Sequence, residues 1–136
     1  MSRLCLILAA LACAAPANAQ SVEVASGDWY NIPRLESAQR TRISTKSVDR
    51  VVNIVKSGTC ALPGQSKDRI DMAVPFLIQF EPDGDPTRIV IARMNCPELE
   101  SLMGGVVLNL ARAGEFKPTG ENQTGWYRSE LSFAVQ

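Results

Sequence analysis

The chain contains no histidine. That excludes histidine general bases, Ser-His-Asp triads and histidine metal ligands. It has no Cys-x-x-Cys spacing either, so the usual redox and zinc-ribbon signatures are missing. Charge of one sign is not in excess: 14 Lys and Arg stand against 14 Asp and Glu, without a block of like charge. Neither nucleic acid nor an anionic membrane surface is therefore the expected partner. No apolar run approaches the roughly 20 residues of a membrane span. There is no internal repeat and no low-complexity linker.

What is present starts with an address. Arg3 precedes an apolar run from Leu4 to Ala15, and Ala17-Asn18-Ala19 follows as a small-x-small site. This is the layout of a secretory signal peptide over residues 1–19, cleaved after Ala19, which predicts a periplasmic or secreted product. A rival reading makes Cys13 a lipidated cysteine behind a loose Leu11-Ala12-Cys13 lipobox, although Ala10 stands where such boxes usually carry Leu. The remaining chain from Gln20 is long enough for one domain with a real core. It keeps two of the four cysteines, Cys60 and Cys96. In an exported protein such a pair is expected to form a disulfide, stabilising by about 3–4 kcal/mol in the chain-entropy picture. A redox-active or metal-binding pair is the weaker alternative.

Residues 20–45 read as an irregular lead-in, with an apolar knot at Trp29, Tyr30 and Ile32. Two readings of the knot stand: packing against the domain, which is favoured, and a binding surface. Residues 46–136 read as the domain. A helix is expected over Ser47–Ser57, with Ser47 as N-cap, Asp49 in the first turn and Gly58 as the left-handed stop. Val48, Val51, Val52 and Val55 form its apolar face. A loop from Ala61 to Arg69 contains the Pro63-Gly64 breaker.

Then comes the best-punctuated stretch, Ala73 to Met94. Val74, Phe76, Ile78 and Phe80 share one face of a first strand, with Ala73, Leu77 and Gln79 on the other. Pro75 cannot donate a ladder bond, so the strand is an edge there or begins near there. Pro82-Asp83-Gly84 is turn chemistry, and a second strand from Arg88 to Met94 completes a hairpin. A helix over Pro97–Ala113 follows, capped by Cys96 or Asn95, with Glu98 and Glu100 at its positive end. Leu99, Leu102, Met103, Val106, Val107 and Leu110 form its stripe. Gly104-Gly105 is costly within a helix. Close approach to the sheet is the favoured explanation, and a hinge the rival. Gly114 ends the helix, and Phe116-Lys117-Pro118 leads into a polar loop. A last strand from Trp126 to Val135 sets Tyr127, Leu131, Phe133 and Val135 against Trp126, Arg128, Glu130 and Ser132.

No set of residues converges on a reaction, so no catalytic residue, cofactor or metal is expected. Glu81, Asp83 and Asp85 crowd the hairpin loop at alternate positions, but lack the spacing and terminal glutamate of a calcium loop. A solvated turn is the better reading. Glu98 and Glu100 do not share a helix face and make a poor acid pair.

The order strand, Asp83-Gly84 turn, strand, helix, Phe116-x-Pro118, Gly125 and final strand resembles the C-terminal domain of TonB and its relatives, over about residues 72–135. The matching residues are Phe76 to Phe80, Ile89 to Ile91, Leu99 to Leu110, Leu131 and Phe133. The resemblance implies an α+β fold: a three-stranded antiparallel sheet with two helices packed on one face. It also implies a receiver of protein or peptide segments at a sheet edge. The partner would be a TonB-dependent receptor or another envelope protein. The contact strand would be the last one, with Trp126, Tyr127, Arg128, Glu130 and Ser132 as contact residues.

Several features depart from the family. Asn95-Cys96-Pro97 replaces its usual Ser-Ser-Gly-like segment, and the cysteine pair is not general to it. The anchor and proline-rich spacer of TonB itself are missing, so energy transduction is not expected to transfer. Two other readings remain: a secreted enzyme inhibitor or small hydrolase on a similar scaffold, and one half of an energy-transducing system whose anchor lies on another chain.

Overall fold

The computed structural model describes residues 21–35, 43–62, 64–66, 68–118 and 124–135. The expected signal peptide over 1–19, the lipidation reading of Cys13, Pro63, and most of the loop from Thr119 lie outside the described residues, as does the side chain of Phe133. The elements run β1 (Ser21–Ala25), α1 (Thr45–Ser57), β2 (Ile70–Phe80), β3 (Pro86–Ala92), α2 (Pro97–Arg112) and β4 (Gly125–Val135).

The hairpin forms the centre of the sheet. β2 pairs antiparallel with β3 from Phe76↔Ile91 to Phe80↔Pro86, and with β4 from Ile70↔Val135 to Phe80↔Gly125. Alternation does the expected work: Val74, Phe76, Ile78 and Phe80 are buried together with Ile89 and Ile91. In the turn, Gly84 takes a left-handed conformation at φ 84°. Its N–H donates to the Glu81 carbonyl at 2.8 Å. The expected consequence of Pro75 holds in part. β2 begins five positions earlier, at Ile70, and is central rather than an edge. Leu77 faces β3 with its backbone, so by parity the missing N–H of Pro75 also faces that side. There the β3 pairing has already stopped at Phe76.

The α+β class holds, but the sheet differs from expectation. It is four-stranded and mixed, in the order β1-β3-β2-β4, instead of three-stranded and antiparallel. The extra strand comes from the lead-in read as irregular: Ser21–Ala25 runs parallel to β3, from Ser21↔Arg88 to Ala25↔Ala92. A parallel pair needs a long crossover, and here α1 and β2 supply it. The alternation Val22-Glu23-Val24 was the local sign of a strand, but the segment is five residues long and mostly exposed.

Both helices contribute to one core cluster, in which Val51 and Ile54 of α1 and Leu99, Met103 and Val107 of α2 join the inward residues of the sheet. α1 starts earlier than expected. Its N-cap is Ser44, whose Oγ accepts the Ser47 N–H at 3.2 Å. The first turn carries no acid, so Asp49 does not meet the positive helix end. Gly58 closes the helix at φ 71° as expected. Cys60, just beyond it, is bonded to Cys96, the N-cap of α2, with Cα atoms 5.5 Å apart. Cys96 offers no side-chain cap. The Glu100 carboxylate does that work, accepting the Met94 N–H at 2.7 Å and the Cys96 N–H at 3.4 Å.

The two glycines of α2 have different reasons. A Cβ on Gly104 would lie 2.6 Å from Val22 Cγ1 and 3.7 Å from Ile91 Cγ1, whereas one on Gly105 would meet nothing within 4 Å. Close approach therefore explains Gly104 alone, and the strand it admits is β1. Opposite signs are expected on substitution. Gly105→Ala should stabilise by up to about 1 kcal/mol through helix propensity. Gly104→Ala should destabilise by roughly 1–2 kcal/mol, overpacking outweighing propensity. Val22→Ala should recover most of that loss. Urea unfolding of the three single variants and of Gly104→Ala combined with Val22→Ala checks this, and equal shifts at the two glycines would contradict it.

Candidate functional site

β4 ends the sheet on one side, as the expectation for an edge-strand site requires. Its outward backbone groups follow from one rung. The Arg128 N–H donates to the Pro33 carbonyl at 2.9 Å, and the Arg128 carbonyl accepts the Leu35 N–H at 2.8 Å. Both bonds point away from β2. The β2·β4 register is unbroken, and along a strand the bonding direction alternates. Trp126, Glu130, Ser132 and Ala134 therefore also turn their backbone groups outward, while Tyr127, Ser129 and Leu131 turn theirs to β2.

The five expected contact residues separate accordingly. Trp126, Arg128, Glu130 and Ser132 all turn backbone groups to the outer edge, and Glu130 and Ser132 follow the occupied rung. The Glu130 and Ser132 side chains fall on the sheet face away from the helices. Trp126 shares that face and is half-buried. Tyr127 does not belong with them. Its ring is buried edge-on against Phe80, with centroids 5.7 Å apart, and its backbone is committed inward.

The strand is an edge, but not an empty one. Arg34 makes a parallel bridge to Arg128, so the chain's own lead-in adds one rung to the outside of β4. The Arg128 side chain reinforces it: Nε donates to the Ile32 carbonyl at 2.8 Å, and the guanidinium lies over the Tyr30 ring at 5.6 Å. Leu35 closes the contact by entering the core cluster, where it is 3% exposed. Sequence reasoning missed Pro33, Arg34 and Leu35. The available signal was a single large apolar residue, Leu35, at the start of the polar run 36–42. The aromatic knot also divides: Ile32 and Trp29 are half-buried, whereas Tyr30 is 78% exposed and held as a lid on Arg128.

The sheet face opposite the helices carries a second polar arrangement. Arg88 on β3 donates through Nη2 to both carboxylate oxygens of Glu23 on β1, at 3.0 and 2.9 Å. Its guanidinium also lies 5.2 Å from the Trp126 ring centroid. Gln79 is the register partner of both Arg88 and Trp126, so Arg88 reaches across β2. Each contact is worth about 1 kcal/mol or less at such exposure. Their effect is to join β1, β3 and β4 across one face.

The hairpin acids do not assemble a site. Glu81, Asp83 and Asp85 are exposed, and Asp83 Oδ1 accepts the Asp85 N–H at 2.9 Å within the turn. Among the described residues no cluster of three or more Cys, Asp or Glu side chains could hold a metal ion. Glu98 is exposed and Glu100 is buried as a helix cap. No helix among the described residues is long and apolar enough to cross a membrane. Comparison with protein-family models, with curated proteins and with solved structures finds no match for this chain.

Proposed function

We propose that this protein is an exported protein-binding module that takes an extended segment of a partner along the outer edge of β4. The observation that carries this reading is the Arg128 rung. There the edge accepts a strand through both backbone bonds and a buried apolar anchor. Beyond it, the outward groups of Glu130, Ser132 and Ala134 have no backbone partner among the described residues. Strand addition to an exposed edge is a general mode of peptide recognition: backbone bonds supply affinity and alternate side chains supply specificity. The resemblance to the TonB C-terminal domain points the same way and suggests an envelope partner, such as a TonB-dependent receptor. The Cys60–Cys96 disulfide favours an oxidising compartment, which suits a periplasmic or secreted protein with a cleaved leader.

The test is a proline on the edge. Glu130→Pro removes an outward N–H while leaving the ladder to β2 intact, because that ladder does not use the Glu130 N–H. Arg128→Pro is unsuitable, since it would break the bond to Pro33. Cross-linking capture from envelope extract should lose partner yield at least tenfold with Glu130→Pro, and Tm should move by only a few degrees. An unchanged set of captured proteins from a folded variant would refute the reading.

A further inference from the structure

The segment that already sits on the β4 edge is built like a ligand. It is short and extended, runs parallel to β4, and meets both backbone groups of Arg128 with the Pro33 carbonyl and the Leu35 N–H, Arg34 lying opposite Arg128. It also inserts one large apolar side chain, Leu35, into the core. Its hold is local. The described contacts across the strand are the two backbone bonds at Arg128, the Arg128 Nε bond to Ile32 and the stacking of Arg128 on Tyr30. Pro33 and Arg34, the two residues just before the anchor, are exposed. A structural clamp would be expected to pair over several rungs, whereas this one pairs at one among the described residues.

We infer that Ile32–Leu35 is an internal stand-in for the partner strand, occupying the rung at Arg128 until a competing segment displaces it. This rests on the edge-binding reading above and specifies its partner. The competing segment is an extended peptide that runs parallel to β4 and presents a large aliphatic side chain where Leu35 sits. It continues along Glu130 and Ser132, where it gains bonds that the stand-in does not make among the described residues. Arg128 is the latch, because its side chain binds the stand-in twice without taking part in the β2 ladder.

Two measurements on the full chain test this. The first is hydrogen exchange at the Arg128 and Leu35 amides, compared with Tyr127 and Leu77. Displacement requires the first pair to exchange at least a hundredfold faster than the second, through an opening that leaves the sheet paired. Equal protection of all four would make the segment a fixed part of the fold and overturn the proposal.

The second uses a fluorescent peptide copying residues 29–35. Leu35→Ala leaves β4 unchanged and weakens the latch from the segment's side by emptying the anchor site. It should bind the peptide at least tenfold more tightly than the parent, and a peptide with Asp at the Leu35 position should not bind. Tyr30→Ala is a parallel variant that removes the ring held by Arg128, and it should tighten binding by a smaller factor. If both variants remain folded and neither binds the peptide more tightly than the parent, the stand-in idea is wrong. The edge-binding reading would still stand if Glu130→Pro abolished partner capture. Should Glu130→Pro have no effect on capture while the latch variants bind the peptide, the partner reading fails and the displaceable segment stands.

Discussion

Replacing Phe76 by alanine is expected to remove about 3–5 kcal/mol of stability, the range for a buried aromatic cut back to a methyl group. Few positions in the chain are tied to so many elements. Phe76 is fully buried on the central strand β2, paired with Ile91 of β3 and Ser129 of β4. Its ring meets Phe116 at 5.2 Å with the planes tilted by 54°. Phe116 stands just after α2, where Gly114 at φ 76° turns the chain back towards the sheet. The cavity would therefore open between the sheet and the segment that returns the chain from α2 to β4. Collapse would be resisted by two flanking strands. Against a total stability of about 5–15 kcal/mol, the loss should leave the domain marginal. Urea unfolding gives the number, and a cost under about 1.5 kcal/mol would contradict the packing described. A double-mutant cycle of Phe76→Leu with Phe116→Leu should return a coupling of about 0.5–1.5 kcal/mol, the worth of an aromatic pair beyond its buried area.

Opening the Cys60–Cys96 bond is expected to cost a similar amount. The bond closes a loop of sequence separation 36, for which the chain-entropy estimate is about 3–4 kcal/mol. At roughly 3–6 °C per kcal/mol for a domain of this size, Tm should fall by roughly 10–20 °C with reductant. Cys60→Ser combined with Cys96→Ala should reproduce the fall. Alanine suits the second position because Cys96 is fully buried, and a serine hydroxyl there would need a partner. The loss should not be uniform. The bond joins the end of α1 to the start of α2, and α1 otherwise rests on its Val51 and Ile54 face. Amides of α1 should therefore lose protection first, while those of β2 keep theirs. A thiol assay finding two free thiols on unreduced protein that lacks residues 1–19 would reject the bond outright. A reductant-insensitive Tm would reject its contribution.

The residues that specified the core were legible because burial is written in periodicity. Val74, Phe76, Ile78 and Phe80 announce a strand face at a period of two, and Leu99 to Leu110 a helix stripe at 3.6. Those faces did go inward, with Ile89 and Ile91 beside them. Gly58 and Gly114 marked the helix ends, since a left-handed residue is most easily a glycine. The N-cap of α1 was misplaced because Ser44 and Ser47 are equally good capping types. Ser44 is the cap, and it reaches forward to Ser47.

By itself, then, the amino-acid order determined which faces would be apolar, where the hairpin turns, and that Cys60 and Cys96 lie within the domain. Tertiary structure decided the rest. β1 joins the sheet through backbone bonds to β3, and Glu23 finds Arg88 across 65 residues of sequence. Those partners have no local signature, because a peptide N–H is the same in every residue. Only the meeting of β1 with α2 explains why Gly104 lacks a side chain while its neighbour lacks one for no steric reason. That β4 would be an edge was an expectation from the resemblance, not something written in its own residues. That the lead-in covers it at Arg128 was not expected. The covering depends on one leucine reaching a core assembled from distant segments, and on two hydrogen bonds that any extended chain could make.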